Sequence, residues 1–319
     1  MSSRAFDPFV RRPLGSTGLE VTALSFGSGP LGDMQGAFGG VPGEERSLAT
    51  IRAMLASPVR FLDTAAGYGD GTSERRIGMA LREIGGVRDD MVVATKVDPD
   101  ATTRDFSGDQ VRRSVERSQQ LLGMDHLPLV YLHDPEYHDD ATLMKPGGAV
   151  DTLVELQRSG VIGAIGIAGG EIATMHRYLE LGVFTVMLTH NRFNLLNRSG
   201  DGLIEAAVSR GIAVCNAAPY GSGILAKGPG AYPRFMYQDA AAETLRRAAA
   251  FEALADRHGV PLAAVALQFS LRDSRISSTV VGMSRPERVA ETVRLADLAI
   301  PEELWEELGG LPYSMVEGR

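Results

Sequence analysis

The chain has 319 residues, of which 44% are hydrophobic and 23% charged, with a formal net charge of −8. That length suits one α/β barrel, and such a chain buries roughly three quarters of its unfolded surface without covalent staples. No basic block marks a nucleic-acid or membrane-surface partner, and no apolar run is long enough to span a bilayer. A lone cysteine, Cys215, forms no internal disulfide, which fits a reducing compartment. The opening Met-Ser-Ser-Arg-Ala-Phe-Asp-Pro lacks the apolar stretch of a signal peptide, so cytoplasmic residence is expected.

Taken in chain order, residues 11–13 and 20–21 flank Gly15–Gly18 as a hairpin that would plug a barrel floor. Short apolar runs then alternate with amphipathic ones. Strand 22–26 precedes a helix at 44–56, and strand 60–63 precedes a helix opening at Ser73, a good N-cap residue. Strands 91–96, 129–133 and 162–167 lead to helices 108–122, 148–159 and 171–181. Strands 185–189 and 212–216 lead to helices 202–209 and 261–272, and strand 279–281 to helix 286–297, with proline in its first turn. Helices at 240–258 and 301–308 stand outside the repeat. Eight apolar strands alternating with helices predict a parallel sheet covered on both faces. The expectation is an α/β fold: a single (β/α)8 TIM barrel domain over 1–319, with an N-terminal hairpin and extra helices.

Gly27-Ser-Gly29-Pro-Leu-Gly32 spells G-x-G-x-x-G directly after the first strand. A dinucleotide fold needs a helix to start there, so that its N-terminus holds the pyrophosphate. The residues that follow, Asp-Met-Gln-Gly-Ala-Phe-Gly-Gly-Val-Pro-Gly, do not make that helix. The motif is read as a loop.

The chemistry is expected further on. Asp63, Lys96 and His133 each end a predicted strand, and Tyr68 lies in the loop after Asp63. In a barrel these positions share the carboxyl-terminal rim, where active sites are built. A tyrosine titrates near 10, too high for efficient proton transfer at neutral pH, and a nearby ammonium pulls that value down. A buried lysine keeps its proton when a carboxylate such as Asp63 pairs with it. A neutral histidine then polarises the substrate oxygen. Each residue alone is more often a cap or a satisfied polar group; four at one rim point to proton transfer.

These residues sit in a stretch, Phe61-Leu-Asp-Thr-Ala-Ala-Gly-Tyr-Gly followed by Ser73-Glu74 and Ile77-Gly78, that resembles the aldo-keto reductases. The resemblance extends from Leu14-Gly-Ser-Thr-Gly-Leu-Glu-Val to Val281-Gly-Met-Ser-Arg-Pro-Glu-Arg. It implies a (β/α)8 barrel that binds NAD or NADP without a Rossmann motif, with Asp63, Tyr68, Lys96 and His133 as catalytic tetrad. Leu132-His-Asp-Pro-Glu, Asn194-Leu-Leu and Asn216-Ala-Ala-Pro-Tyr-Gly-Ser-Gly-Ile-Leu-Ala are most similar to the dehydrogenases of that family that act on aldoses (D-threo-aldoses and L-fucose among them) and on pyridoxal.

The resemblance also marks the cofactor side, where the chain departs from better-known members. Ala168-Gly169 follow the fifth strand in place of Ser-Asn, His190 replaces a glutamine beside Asn191, and Tyr220 lies three residues beyond the usual ring-stacking position. Gly221, Ser222 and Gly223 would face the pyrophosphate, unless they form a plain turn. Ser284 and Arg288 match the adenosine-phosphate end, where Gly282 replaces a frequent lysine, so NAD or dual use is favoured. The expected reaction is oxidation of a small polar alcohol or cyclic sugar hemiacetal, such as an aldose or pyridoxal to its lactone. The alternatives are a generic NADPH-dependent aldehyde or ketone reductase and a non-catalytic cofactor-sensing subunit. Phe38, Phe106, Tyr137, Phe193, Phe235 and Tyr237 are candidate pocket aromatics, each equally able to serve as packing. His133, His138, Asp139 and Asp140 are rich in metal-ligand types, but a solvated acidic loop is preferred and no metal is expected. A small-molecule substrate is the only partner implied, and oligomeric state is left open.

Overall fold

Two short antiparallel strands come first, β1 (Arg11–Pro13) and β2 (Glu20–Thr22), in a computed structural model that describes residues 7–34, 41–236 and 238–316. Phe38 and Tyr237 lie outside the described residues. Seven barrel strands follow: β3 (Leu24–Gly27), β4 (Phe61–Asp63), β5 (Val92–Val97), β6 (Leu127–His133), β7 (Ile162–Gly169), β8 (Val186–His190) and β9 (Ala213–Ala217). A two-residue ladder, β10 (Arg234–Phe235) with β11 (Gln238–Asp239), precedes the eighth, β12 (Ile276–Gly282). Parallel pairing in the order β12-β3-β4-β5-β6-β7-β8-β9 closes the expected barrel.

Helices wrap the outside because each strand turns alternate side chains outward onto an amphipathic helix. Glu44–Ala56, Thr72–Glu83, Gly108–Leu122, Ala149–Arg158, Ile172–Leu179, Asp201–Val208, Leu262–Leu271 and Pro286–Ala296 form that layer, with Ala242–Arg257 and Glu302–Leu308 as the two additions. Inside the barrel, Phe61, Ala94, Leu129, Tyr131, Val186 and Leu188 pack as a separate core. Leu14 and Val21 of the hairpin join it, so the hairpin plugs the floor. Its Gly15 lies so close to Ala213, the first residue of β9, that an added Cβ would meet the alanine Cβ at 3.0 Å.

Four local expectations are corrected. The first strand breaks at Ala23, because Thr22 Oγ1 donates to Leu24 O (2.6 Å) and accepts from Arg60 N (3.0 Å). Ala168 and Gly169 belong to β7, pairing with β8, instead of following it. Ser73 does not cap its helix; Gly71 does, in the left-handed region, while Ser73 Oγ donates to Ser28 Oγ at 2.8 Å. The acidic loop after β6 is partly ordered structure: a 3-10 turn at Pro135–Tyr137, then helix Asp140–Met144 capped by the Asp139 carboxylate. The glycine motif after β3 starts only a three-residue 3-10 turn, Gly29–Leu31, as its rejection requires.

Candidate active site

Parallel strands end together at one rim, so Asp63 on β4, Lys96 on β5 and His133 on β6 emerge side by side. The loop after β4 is laid across that rim by its own backbone: Thr64 N donates to Ala94 O (2.9 Å) and Ala66 N to Lys96 O (3.2 Å). Glycine is required where it meets the loop after β3. A Cβ on Gly32 would stand 2.6 Å from the carbonyl carbon and oxygen of Tyr68, and one on Gly69, at φ +65°, 1.7 Å from Gly32 O. The two backbones touch, and Tyr68 is thereby held over Lys96.

Lys96 is 1% exposed and its ammonium is fully engaged. Nζ donates to Asp63 Oδ1 (2.7 Å), Thr64 O (2.7 Å) and the Tyr68 hydroxyl (3.2 Å). Burial opposes the lysine charge, but Asp63 and Tyr68 outweigh it and raise its pKa. Burial also raises the Tyr68 pKa above the ordinary phenol value, with Lys96 opposing and Asp63 assisting. The expected lowering by lysine is therefore present but smaller than the desolvation, and the resting group is a phenol.

His133 packs edge-on to Tyr68, ring centroids 5.7 Å apart. Its Nδ1 lies 2.7 Å from Asp98 Oδ1, and Asp98 Oδ2 accepts from Gly67 N at 2.6 Å. One carboxylate thus ties the histidine to the tyrosine loop and leaves Nε2 facing the cleft. Burial lowers the His133 pKa, but Asp98 and then Asp134 outweigh it, so the net shift is upward. Asp98 was not among the expected site residues. Its position two residues after Lys96, beyond the same strand end, was the available signal. Glu74 is a second buried acid, accepting from Thr95 Oγ1 (2.5 Å), and burial pushes its carboxyl up to about 6.

A cleft of about 920 Å³ opens over these groups. Asp63, Tyr68, Lys96, His133, Asp134 and His190 line it. So do Tyr220, Ser222, Gly223, Ser284 and Arg288, joined by Lys227 and Arg285. Asn191 and Gly221 are buried outside the lining: Asn191 Nδ2 sits 3.4 Å from His190 Nδ1, and Gly221 backs onto the Phe235 ring. The amides of Gly221 and Gly223 bond internally, to Ala218 O and Tyr220 O. By contrast Ser222 Oγ is buried without a partner among the described residues. An unpaired hydroxyl in a cleft that Lys227, Arg285 and Arg288 also line fits an anionic, phosphate-bearing ligand. Of the candidate aromatics, Tyr137 lines the cleft; Phe106 and Phe193 are buried packing. His133, His138, Asp139 and Asp140 do not converge as ligands; instead Asp134, Glu136 and His190 bring polar atoms within 4.8 Å of one another.

A parallel barrel that gathers a buried lysine and aspartate with a half-buried tyrosine and histidine beside a cation-lined cleft has the parts of an enzyme that transfers protons. Residues 23–311 match the aldo/keto reductase family, and the chain belongs to it. The chain is 32% identical to pyridoxal 4-dehydrogenase of Microbacterium luteolum, with 93% of this chain and 96% of that protein covered. It is 31% identical to D-threo-aldose 1-dehydrogenase of a Pseudomonas species, covering 92% and 94%. Its fold is that of an aldo-keto reductase from Bacillus halodurans in holo form, at TM-score 0.78 and 22% identity, over 96% and 98% of the chains. It is thus an oxidoreductase of a family whose cofactors are NAD(P)H. Among the described residues, no helix is long and apolar enough to cross a membrane.

Proposed function

We propose that the chain oxidises a small polar alcohol or cyclic sugar hemiacetal, an aldose or pyridoxal, to the corresponding lactone with NAD(P)⁺. The observation that carries this reading is the Lys96 ammonium bound to both Asp63 and the Tyr68 hydroxyl at the cleft wall. The similarity to dehydrogenases named for aldose and pyridoxal substrates supports the substrate class.

Tyr68 exchanges the proton of the substrate hydroxyl. Lys96 stabilises the phenolate that this requires, and Asp63 keeps Lys96 charged. His133, oriented by Asp98, donates from Nε2 to the substrate oxygen. The nicotinamide, when bound, supplies the hydride acceptor. Tyr220, Ser222, Gly223, Ser284 and Arg288 are assigned to hold the cofactor, with Gly221 supporting the turn from behind, whereas His190, backed by Asn191, faces Asp134 instead. Because the resting Tyr68 is a phenol, the oxidative direction gains as pH rises and the phenolate forms, whereas reduction uses the phenol directly. An oxidative optimum above neutrality is expected.

Gly282 offers no cation at the adenosine end, so NAD or dual use is proposed. The test is one panel of aldoses, pyridoxal and simple aldehydes, assayed with NAD and NADP in both directions. Rapid reduction of simple aldehydes with no oxidation of any sugar or pyridoxal would replace this reading with that of a general reductase. A hundredfold preference for NADP, about 2.7 kcal/mol, would overturn the cofactor assignment.

A further inference from the structure

We propose that Asp134 and His190 bind a hydroxyl group on the carbon next to the reacting one, so that the preferred substrate is an α-hydroxy aldehyde or the aldose hemiacetal related to it. This rests on the assignment of Tyr68 and His133 as the groups that hold the reacting oxygen.

Asp134 directly follows His133 and adopts φ +45°, ψ +52°, a left-handed conformation seldom taken outside Gly, Asn and Asp. It is fixed there by Asp134 N donating to Ala168 O (2.7 Å) and Tyr137 N donating to Asp134 O (3.2 Å). The carboxylate consequently turns into the cleft. Oδ2 stands 3.8 Å from His133 Nε2, the nitrogen left free by Asp98. Oδ1 stands 3.8 Å from His190 Nε2, is buried, and has no hydrogen-bond partner among the described residues. That separation is too long for a direct bond and admits one oxygen bonded to both sides. A hydroxyl both donates and accepts, so it satisfies the carboxylate and the imidazole together, which a carbonyl oxygen does not. Vicinal oxygens lie about one hydrogen-bond length apart. A substrate oxygen on His133 Nε2 therefore brings the neighbouring hydroxyl to Asp134. His190 reaches this position because residue 170 is glycine: a Cβ there would meet His190 Cε1 at 2.7 Å. Pyridoxal has an aromatic carbon at the adjacent position, without a hydroxyl, so this arrangement selects the sugar.

The test compares kcat/KM for glyceraldehyde against propionaldehyde in reduction, and for galactose against 2-deoxygalactose in oxidation, using both enantiomers of each chiral compound. The wild type should favour the hydroxylated member by about ten- to a hundredfold, the range of a hydrogen bond to a charged group. Asp134→Asn and Asp134→Gly both accept the left-handed backbone, so each should fold while bringing the ratio to within about threefold. A wild-type ratio near one, or variants that keep the wild-type ratio, overturns the assignment. Tight stoichiometric Zn²⁺ binding that Asp134→Gly abolishes would assign Asp134, Glu136 and His190 to a metal and overturn it equally. If glyceraldehyde is preferred but neither galactose is oxidised, the reading of direction fails and the hydroxyl site stands.

Discussion

The two ends of this barrel are built on opposite principles. At the floor, the hairpin inserts Leu14 and Val21 into the interior core, and its left-handed residues are glycines, Gly15 and Gly18. At the opposite rim, a lysine and a carboxylate are buried, and Asp134, Asn191, Ala218 and Ser222 take left-handed backbone without being glycine. Apolar burial with relaxed backbone favours the folded state; buried charge and strained backbone cost stability and persist where function needs them. The floor therefore stabilises a rim that is expensive on its own.

Breaking the rim and the floor separately tests that division. The largest effect is expected for Tyr68→Phe, which removes the proposed proton carrier and keeps the ring: kcat should fall about a hundred- to ten-thousandfold, with cofactor affinity and Tm nearly unchanged. A kcat within about threefold of wild type would remove Tyr68 from the mechanism. Lys96→Met should lose both activity and stability, since it leaves Asp63 buried without its cation; about 3–5 kcal/mol is the usual scale, read by denaturant titration. Combined with Asp63→Asn, the kinetic loss should be little worse than that of the worse single change, because the pair acts as a unit. Fully multiplicative losses would show two independent roles.

Leu14→Ala addresses the floor alone. It should cost about 2–5 kcal/mol of stability while kcat per folded molecule stays constant, so a large kcat change would couple the two ends directly. The smallest effect sharpens the comparison within the rim. Asp98 raises the pKa of His133, so Asp98→Asn should move its ring titration, followed by NMR, to lower pH. The activity limb that reports loss of the imidazolium should move the same way. An unmoved titration would mean that Asp98 only positions the ring.

Much of this division is readable in the amino-acid sequence, for a physical reason. Strands buried on both faces are continuous apolar runs, and a polar residue that ends such a run must lie at the rim, which locates Asp63, Lys96 and His133 without coordinates. What stays hidden depends on partners distant in sequence. Thr22 breaks its strand by bonding to Leu24 and Arg60, and Ser73 leaves its helix cap to reach Ser28. Asp98 matters because it spans Gly67 and His133, a bridge that exists only after the barrel closes. The cofactor end was harder for the same reason: Asn191 and Gly221 adjoin residues that face the cleft yet are themselves turned away from it.

The contact between Gly32 and Gly69 also bears on how this scaffold can be altered. Side chains around the mouth, exposed Tyr137 for instance, can be exchanged with only local consequences for the fold. The Gly32–Gly69 junction cannot, because any side chain there pushes apart two loops, one bearing Tyr68 and the other, through Gly29 and Pro30, lining the cleft. Libraries that randomise the rim for new specificity should hold both positions as glycine. A variant that breaks this rule should remain folded, with its floor intact, and should be a poor catalyst for every substrate alike.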